Sequence, residues 1–319
     1  MNTTIGVVVA TYNGEKYIEE QLLSIIKQTL KPDLIVISDG NSSDDTVAVC
    51  KKVLGKSGID FKLLTSDKQL SVPVNFNKAL ENCDCDFIFF SDQDDYWVED
   101  KIETTIDFIK RTNSCMAFSN AILTNQYLEK SEIQLWNSIG FNPKEEITVY
   151  KKGDRVFINE LIKHNVVTGM TTCITASLRK YILPLSESAI HDKWISLLAI
   201  YYGNVVAINK DLVFYRQHSN NAVGTERSIK KSLKNRKYYI DKLENRRCMI
   251  EELKNRIDAG EPLEESDFSK YLLFLNRRID FVHKEDGLFS IIKFAKDYFR
   301  YEYRPMEILI KDLIVRINK

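Results

Sequence analysis

Apolar and polar positions along the first hundred residues fall into short alternating blocks. Ile5-Gly6-Val7-Val8-Val9-Ala10 is apolar throughout and breaks at Thr11-Tyr12-Asn13-Gly14. An unbroken apolar run of that length predicts a strand covered on both faces, and the break is turn chemistry. Within Glu15–Gln28, Tyr17, Ile18, Leu22, Ile25 and Ile26 recur at helical spacing, and Pro32 closes the helix. A second strand, Leu34–Ile37, stops at Ser38-Asp39-Gly40. The segment Asn41 to Thr46 offers several N-caps for a helix reaching Leu54. Phe61–Leu64 predicts a third strand, Asn75–Glu81 a third helix and Phe87–Phe90 a fourth strand. Strands alternating with helices imply βαβ units and a mainly parallel sheet with right-handed crossovers.

The pattern loosens after Lys101. Lys101–Arg111 is helical in period and Met116–Leu123 predicts a strand. Trp136, Phe141 and Pro143 mark residues 126–160 as an ordered insertion. Asn165–Ala176 is β-rich, Asp192–Tyr202 predicts an apolar helix, and Val205–Ile208 and Leu212–Tyr215 predict two short strands. From about Thr225 onward, Lys, Arg, Glu, Leu and Tyr dominate at helical period. The expected division is an α/β domain over residues 1–222 and a helical region over 223–319.

That helical region changes the charge picture. The chain as a whole has 45 basic and 45 acidic residues and no net charge, which removes a global basic field for nucleic acid. Between Arg227 and Arg247, however, nine basic residues face only Asp241 and Glu244, a local excess of seven. Around residue 290, Leu288, Phe289, Ile291, Ile292, Phe294 and Ala295 alternate with Lys293, Lys296 and Arg300. Three readings stay open: a solvated helical face, attachment to an anionic membrane surface, or a pairing surface for a homodimer. No apolar run approaches the roughly 18 residues of a spanning helix. Met1-Asn2-Thr3-Thr4 does not predict a signal peptide. The six scattered cysteines include no Cys-x-x-Cys pair, so reduced structural thiols in a cytoplasmic protein are expected.

Candidate chemistry concentrates where the fourth strand ends. Phe87-Ile88-Phe89-Phe90 is followed by Ser91-Asp92-Gln93-Asp94-Asp95. Open α/β sheets bind ligands at the carboxyl ends of their strands. Asp92 and Asp94 offer hard oxygen ligands to Mg²⁺ or Mn²⁺, which could hold a diphosphate, and crowded carboxylates favour a cation. The competing reading is an acidic turn that caps the next helix. Other nucleotide folds lack their signatures: there is no Gly-x-x-x-x-Gly-Lys-Ser/Thr, no Gly-x-Gly-x-x-Gly after the first strand and no Gly-x-Ser-x-Gly.

Taken in order, Val8-Val9-Ala10-Thr11-Tyr12-Asn13-Gly14, Ser38-Asp39-Gly40 through Thr46, and Phe90-Ser91-Asp92-Gln93-Asp94-Asp95 resemble the nucleotide half of a family-2 glycosyltransferase with the GT-A fold. The similarity continues in Gly169-Met170-Thr171, His191-Asp192-Lys193-Trp194 and Tyr215-Arg216-Gln217-His218, and covers roughly residues 4–222. The form of these motifs is most similar to rhamnosyltransferases of cell-surface polysaccharide assembly. Ser38, where relatives often carry an acid, and a loop one residue longer after Gly40 are departures from the family pattern.

The resemblance implies a GT-A, Rossmann-like, mainly parallel mixed sheet flanked by helices. It implies inverting, metal-dependent transfer from a nucleoside-diphosphate sugar, dTDP-L-rhamnose first and a UDP-hexose next, to a saccharide or polyprenyl-linked saccharide. Thr11, Tyr12, Asn13, Glu15, Asp39, Asp92, Gln93, Trp194 and Arg216 would contact the donor, with Asp39 on the base imide and Arg216 on phosphate. Asp94 and His218 would hold Mn²⁺ or Mg²⁺. Asp192 would be the general base, against the plain alternative of a helix cap. Expected rivals are a haloacid-dehalogenase-like phosphohydrolase, which also places Asp-x-Asp after a strand, and a non-catalytic nucleotide-sugar scaffold.

Overall fold

The structure, a computed structural model, describes residues 3–143, 145–218, 235–257, 265–283, 285, 287, 290–302 and 305–317. The first hundred residues follow the predicted alternation: β1 (Ile5–Thr11), α1 (Ile18–Ile26), β2 (Leu34–Asp39), α2 (Thr46–Leu54), β3 (Asp60–Leu64), α3 (Val72–Glu81) and β4 (Phe87–Ser91). Val7, Val8 and Val9 of β1 and Phe89 and Phe90 of β4 are all buried, so consecutive residues are covered on both faces. Each such side chain contributes about 1.5–3 kcal/mol of burial, which is why these runs carry no polar alternation.

The next part is more irregular: β5 (Tyr96–Trp97), α4 (Lys101–Thr112), β6 (Ser114–Thr124), β7 (Lys130–Gln134), α5 (Leu135–Ile139), β8 (Ile147–Tyr150) and α6 (Arg155–Lys163). A 3₁₀ turn at Gly169–Thr171 leads into β9 (Thr172–Thr175), α7 (Ala176–Ile182), α8 (His191–Tyr202) and β10 (Asn204–Arg216). The β-rich stretch expected at 165–176 is thus mostly turn, with a four-residue strand. The two short strands expected at 205–215 are one. Asn209-Lys210-Asp211 interrupts the apolar pattern, and the pairing with β6 shifts between Ile208 and Asp211, as a bulge does.

One ten-stranded sheet runs β3-β2-β1-β4-β9-β6-β10-β5, with β7 beside β6 and β8 beside β10. β1 is parallel to β2 and β4, and β10 is parallel to β6. β9 is antiparallel to both β4 and β6. The carboxyl ends of β1, β2, β4, β6 and β10 therefore share one edge, and β9 begins there. That edge is where the functional loops gather.

The second part is helical: α9 (Arg236–Arg256), α10 (Glu265–His283), α11 (Ser290–Tyr301) and α12 (Pro305–Ile317). Its centre is polar. Arg278 donates to both oxygens of the buried Asp312 at 2.8 and 3.1 Å, and Tyr298 and Tyr239 hydroxyls donate to the same carboxylate at 2.5 Å. Arg278 also pairs with Glu302. Buried charge persists only when matched in this way. Two compact units result: residues 1–154 with 166–218, and residues 155–165 with 219–319. Helix α6 thus groups with the second unit although it lies inside the stretch 1–222, and residue 222 itself falls outside the described residues. Among the described residues no helix is long and apolar enough to cross a membrane.

Candidate active site at the carboxyl edge of the sheet

Three loops at this edge are tied together by side chains. After β1, Asn13 takes a left-handed backbone (φ 48°), donates its N–H to Ser42 Oγ at 2.8 Å and accepts from Ser43 N–H at 2.9 Å. Glu15 accepts the Asp45 N–H at 2.9 Å, and Asp44 accepts the Glu15 N–H at 3.1 Å. The third loop joins through Gln93. Its side-chain amide accepts the Tyr12 N–H at 2.9 Å and donates to the Tyr12 carbonyl at 3.0 Å. Gln93 packs so close to Gly14 that a Cβ there would lie 2.2 Å from Oε1, so any larger residue would have to push the clasping amide aside.

Asp39 is 1% exposed, and its carboxylate accepts from Thr11 Oγ1 at 2.8 Å, Ser42 N–H at 2.8 Å and Ser42 Oγ at 2.6 Å. It knots the first two loops together. A base-imide contact was expected of it, yet in this conformation the carboxylate is closed off by its own loop.

The acids after β4 sit in three different environments. Asp94 Oδ2 lies 2.8 Å from His218 Nε2. The His218 ring stacks on Tyr17 with centroids 4.8 Å apart. Asp92 is pushed up to about 7, first by desolvation, then by the Asp94 and Asp192 carboxylates. Its carboxylate therefore stands within electrostatic reach of both, so residues far apart in sequence converge here. Asp95 is buried and raised well above the usual carboxylate range by desolvation and then by Asp94 and Asp92. Its Oδ1 accepts the Arg216 N–H at 3.0 Å, while Oδ2 is buried without a hydrogen-bond partner.

The residues present fit a divalent cation. Hard carboxylate oxygens and an imidazole are the right donors, and mutual repulsion of the acids leaves charge to be neutralised. Among the described residues no group of three or more His, Cys, Asp or Glu side chains makes a closed metal cage. A cation held by one or two protein groups and otherwise by substrate phosphates is the usual Mg²⁺ arrangement.

Asp192 stands at the start of α8. Its Oδ2 accepts the Gly169 N–H at 3.1 Å and its Oδ1 accepts the Lys193 N–H at 2.6 Å. That second contact is with the next residue of its own helix, whose N-cap is Ile190 rather than Asp192. Its neighbour His191 is buried, stacked on Phe76 at 4.0 Å and near Phe90 at 5.9 Å, and burial lowers its pKa to about 3. A Cβ at Gly169 would lie 2.3 Å from His191 Nε2. Gly169 therefore serves both residues at once.

Two residues expected on the donor are buried and hydrogen-bonded within the protein in this structure. Trp194 does not line the edge: it is 1% exposed, and its indole N–H donates to the Ile182 carbonyl at 2.9 Å. It occupies an apolar face of α8, where a large ring gains most from burial. Arg216, expected on phosphate, is 2% exposed and committed to protein. Nε donates to the Asp94 carbonyl, Nη1 to the Gln126 carbonyl and Nη2 to Glu20, each at 2.7 Å. Its plane lies over Tyr17 at 4.6 Å. It holds the acidic turn in place. Tyr17 and Glu20 were missed as site residues because Tyr17 reads as one of α1's apolar positions. Lys101, at the start of α4, has its ammonium fully buried over the Trp97 ring at 4.1 Å, and desolvation lowers it to about 7.

Comparison with known proteins agrees with this α/β fold. The structure of Staphylococcus aureus TarS 1–349 in complex with UDP-GlcNAc superposes with a TM-score of 0.61 at 19% identity, over 99% of this chain and 88% of that one. This establishes the GT-A arrangement of sheet and helices. The description "Glycosyl transferase family 2" matches residues 6–167. A dTDP-rhamnosyl transferase, RfbG of Shigella flexneri, is 32% identical over 238 residues, 70% of this chain and 76% of the relative. A UDP-Glc:alpha-D-GlcNAc-diphosphoundecaprenol beta-1,3-glucosyltransferase, WfgD of Escherichia coli, is 28% identical over 210 residues, 64% of this chain and 73% of that relative. The chain belongs to glycosyl transferase family 2 and is a glycosyltransferase, which sets aside both the phosphohydrolase and the scaffold.

Proposed function

We propose that this enzyme transfers a sugar, with inversion, from a nucleoside-diphosphate donor to a hydroxyl of a saccharide acceptor in cell-surface polysaccharide assembly. The leading donor is dTDP-L-rhamnose, supported by the motif forms and the similarity to RfbG. A UDP-hexose is the second candidate, supported by the likeness to WfgD, and that relative's name also favours an acceptor on a lipid carrier.

The observation that carries the reading is the convergence of Asp92, Asp94, Asp192 and His218 on one edge of the sheet. Thr11, Tyr12, Asn13 and Glu15 line the nucleotide loop, with Asp39 and Gln93 fixing its shape. Asp94 and His218 are the residues that would hold Mn²⁺ or Mg²⁺, and the cation would supply Lewis-acid neutralisation of the departing diphosphate. Asp92 is within electrostatic reach of both Asp94 and Asp192. The Asp192 carboxylate takes the proton of the acceptor hydroxyl; the hydroxyl oxygen bonds to the anomeric carbon on the face opposite the diphosphate. The carbon–oxygen bond to the diphosphate breaks, and the nucleoside diphosphate leaves with that electron pair. Arg216 keeps the acidic turn from drifting, which is worth as much as a direct contact when geometry sets the rate.

Work on a lipid-linked acceptor suits a cytoplasmic enzyme at the inner membrane face. Exposed Ile292 and Phe299 on α11 stand beside exposed Lys293, Lys296 and Arg300, an apolar and basic combination that fits an anionic surface. The same apolar residues would also serve a homodimer.

A thermal-shift screen of UDP, dTDP and GDP and their sugars, with and without Mn²⁺ or Mg²⁺, tests the donor half of the proposal. A ligand at about 100 times its Kd stabilises the native state by about 2.7 kcal/mol. One nucleoside diphosphate should raise the melting temperature only with the cation. Absence of any nucleotide response would refute the reading.

A further inference from the structure

Arg216 stands at the acidic turn with its charge already spent on Glu20 and two carbonyls. A diphosphate at this edge therefore needs another cation. Lys16, in the loop after β1, is exposed. Its Nζ lies 3.4 Å from Gln126 Oε1 and 4.9 Å from the centre of the Tyr17 ring. Both contacts are weak, the first because it is long and made to a neutral amide, the second because it lies in water. Among the described residues Lys16 forms no ion pair, although Glu15, Glu19 and Glu20 are its neighbours in sequence. Glu15 Oε2 accepts the Asp45 N–H instead, and Glu20 Oε2 is held by Arg216. The lysine charge is left uncommitted.

The Tyr17 ring fixes where that charge sits. The His218 ring stacks on it with centroids 4.8 Å apart, and His218 Nε2 lies 2.8 Å from Asp94 Oδ2. A single ring thus has Lys16 Nζ and the imidazole both within 5 Å of its centre. On its other side in the chain, Lys16 follows Tyr12, Asn13 and Gly14, which are tied to the loop after β2 and to Gln93. It stands between the loops that would hold a nucleoside and the pair that would hold a cation. In a nucleoside-diphosphate donor, the diphosphate is the part that spans those two places.

Charge balance points the same way. Asp92, Asp94 and Asp95 crowd this edge, and a single divalent cation shared between them and a diphosphate leaves negative charge over. The excess grows when the nucleoside diphosphate departs.

We infer that Lys16 is a phosphate-binding residue of the donor site, its ammonium leaving the Gln126 amide to pair with an oxygen of the donor diphosphate. A rotatable four-carbon stem carrying a compact charge suits that task, and phosphate oxygens are a far better partner than a neutral amide. The inference rests on the transferase reading, which supplies the diphosphate.

The test uses the full chain, Lys16→Met and Lys16→Arg. Dissociation constants are measured for dTDP and UDP with Mn²⁺, for thymidine and uridine, and for Mn²⁺ alone. Lys16→Met should weaken the diphosphate that the parent binds by about tenfold, the loss of one charge-assisted hydrogen bond, and Lys16→Arg should stay within about threefold. The corresponding nucleoside and Mn²⁺ alone should bind all three proteins within about twofold. Diphosphate affinity within about twofold of the parent in Lys16→Met overturns the inference. Equal losses for diphosphate and nucleoside also overturn it, by making Lys16 a shaper of the loop. A matching loss for Mn²⁺ alone overturns it too, by placing Lys16 on the cation site. Failure of the transferase reading shows differently, as a parent protein that binds neither diphosphate.

Discussion

Arg216→Met separates a residue that holds the site from one that binds phosphate. The guanidinium is 2% exposed and donates to two carbonyls and a carboxylate. Methionine leaves the Asp94 and Gln126 carbonyls without their donor, at about 1–3 kcal/mol each. Loss of the cation over the Tyr17 ring removes about 0.5–2 kcal/mol more. Glu20 counts for little, since its side chain is 55% exposed and water replaces the lost partner. Methionine regains part of the packing, so a net loss of about 3–5 kcal/mol is expected. In a domain of this size that lowers the melting temperature by about 10 °C. Urea denaturation at constant m-value measures the loss directly. A variant within about 1 kcal/mol of the parent would refute the structural role. Unchanged stability with lost nucleoside-diphosphate affinity would restore the phosphate contact.

Two further outcomes follow. Asp192→Asn keeps the side-chain shape but can accept only one of the Gly169 and Lys193 N–H groups, and it removes the proton acceptor; transfer should fall about 10²–10⁴-fold with nucleotide binding intact, and near-normal turnover would remove Asp192 from the role. His191, with its pKa lowered to about 3 from an ordinary 6.5, is neutral when folded and takes a proton more readily when unfolded. Its stabilising effect is therefore present above 6.5 and fades as pH falls from there towards 3, by about 2 kcal/mol near pH 5. His191→Phe should flatten that part of the stability profile, and equal slopes in the two proteins would contradict the buried neutral imidazole.

What the chain disclosed beforehand depended on how one-sided its local signals are. β1, β2 and β4 were legible because they are buried on both faces, so their apolar runs are unbroken. The acids were legible because they end such a run. β5 has two residues, and β7 is exposed along nearly its whole length, so neither carries a period to read. The bulge in β10 hid one strand as two. At the site, residue type pointed to Asp92 and Asp94, and the family resemblance to Asp192 and His218, but neither to which polar groups are already spent inside the protein. Arg216 looks like a phosphate ligand in sequence because charge is visible there and its partners, Gln126 and Glu20, are far away along the chain.

The Gln93 clasp has a consequence for how such enzymes diversify. Its amide grips only the main chain of residue 12, so the identity of that side chain is left unconstrained by the grip. Substitution at this one position can change the side chain the loop presents without loosening the clasp that ties it to the acidic turn. The chemistry the loop presents and the tie that holds it to the acidic turn are in this way separable traits, free to vary on different schedules.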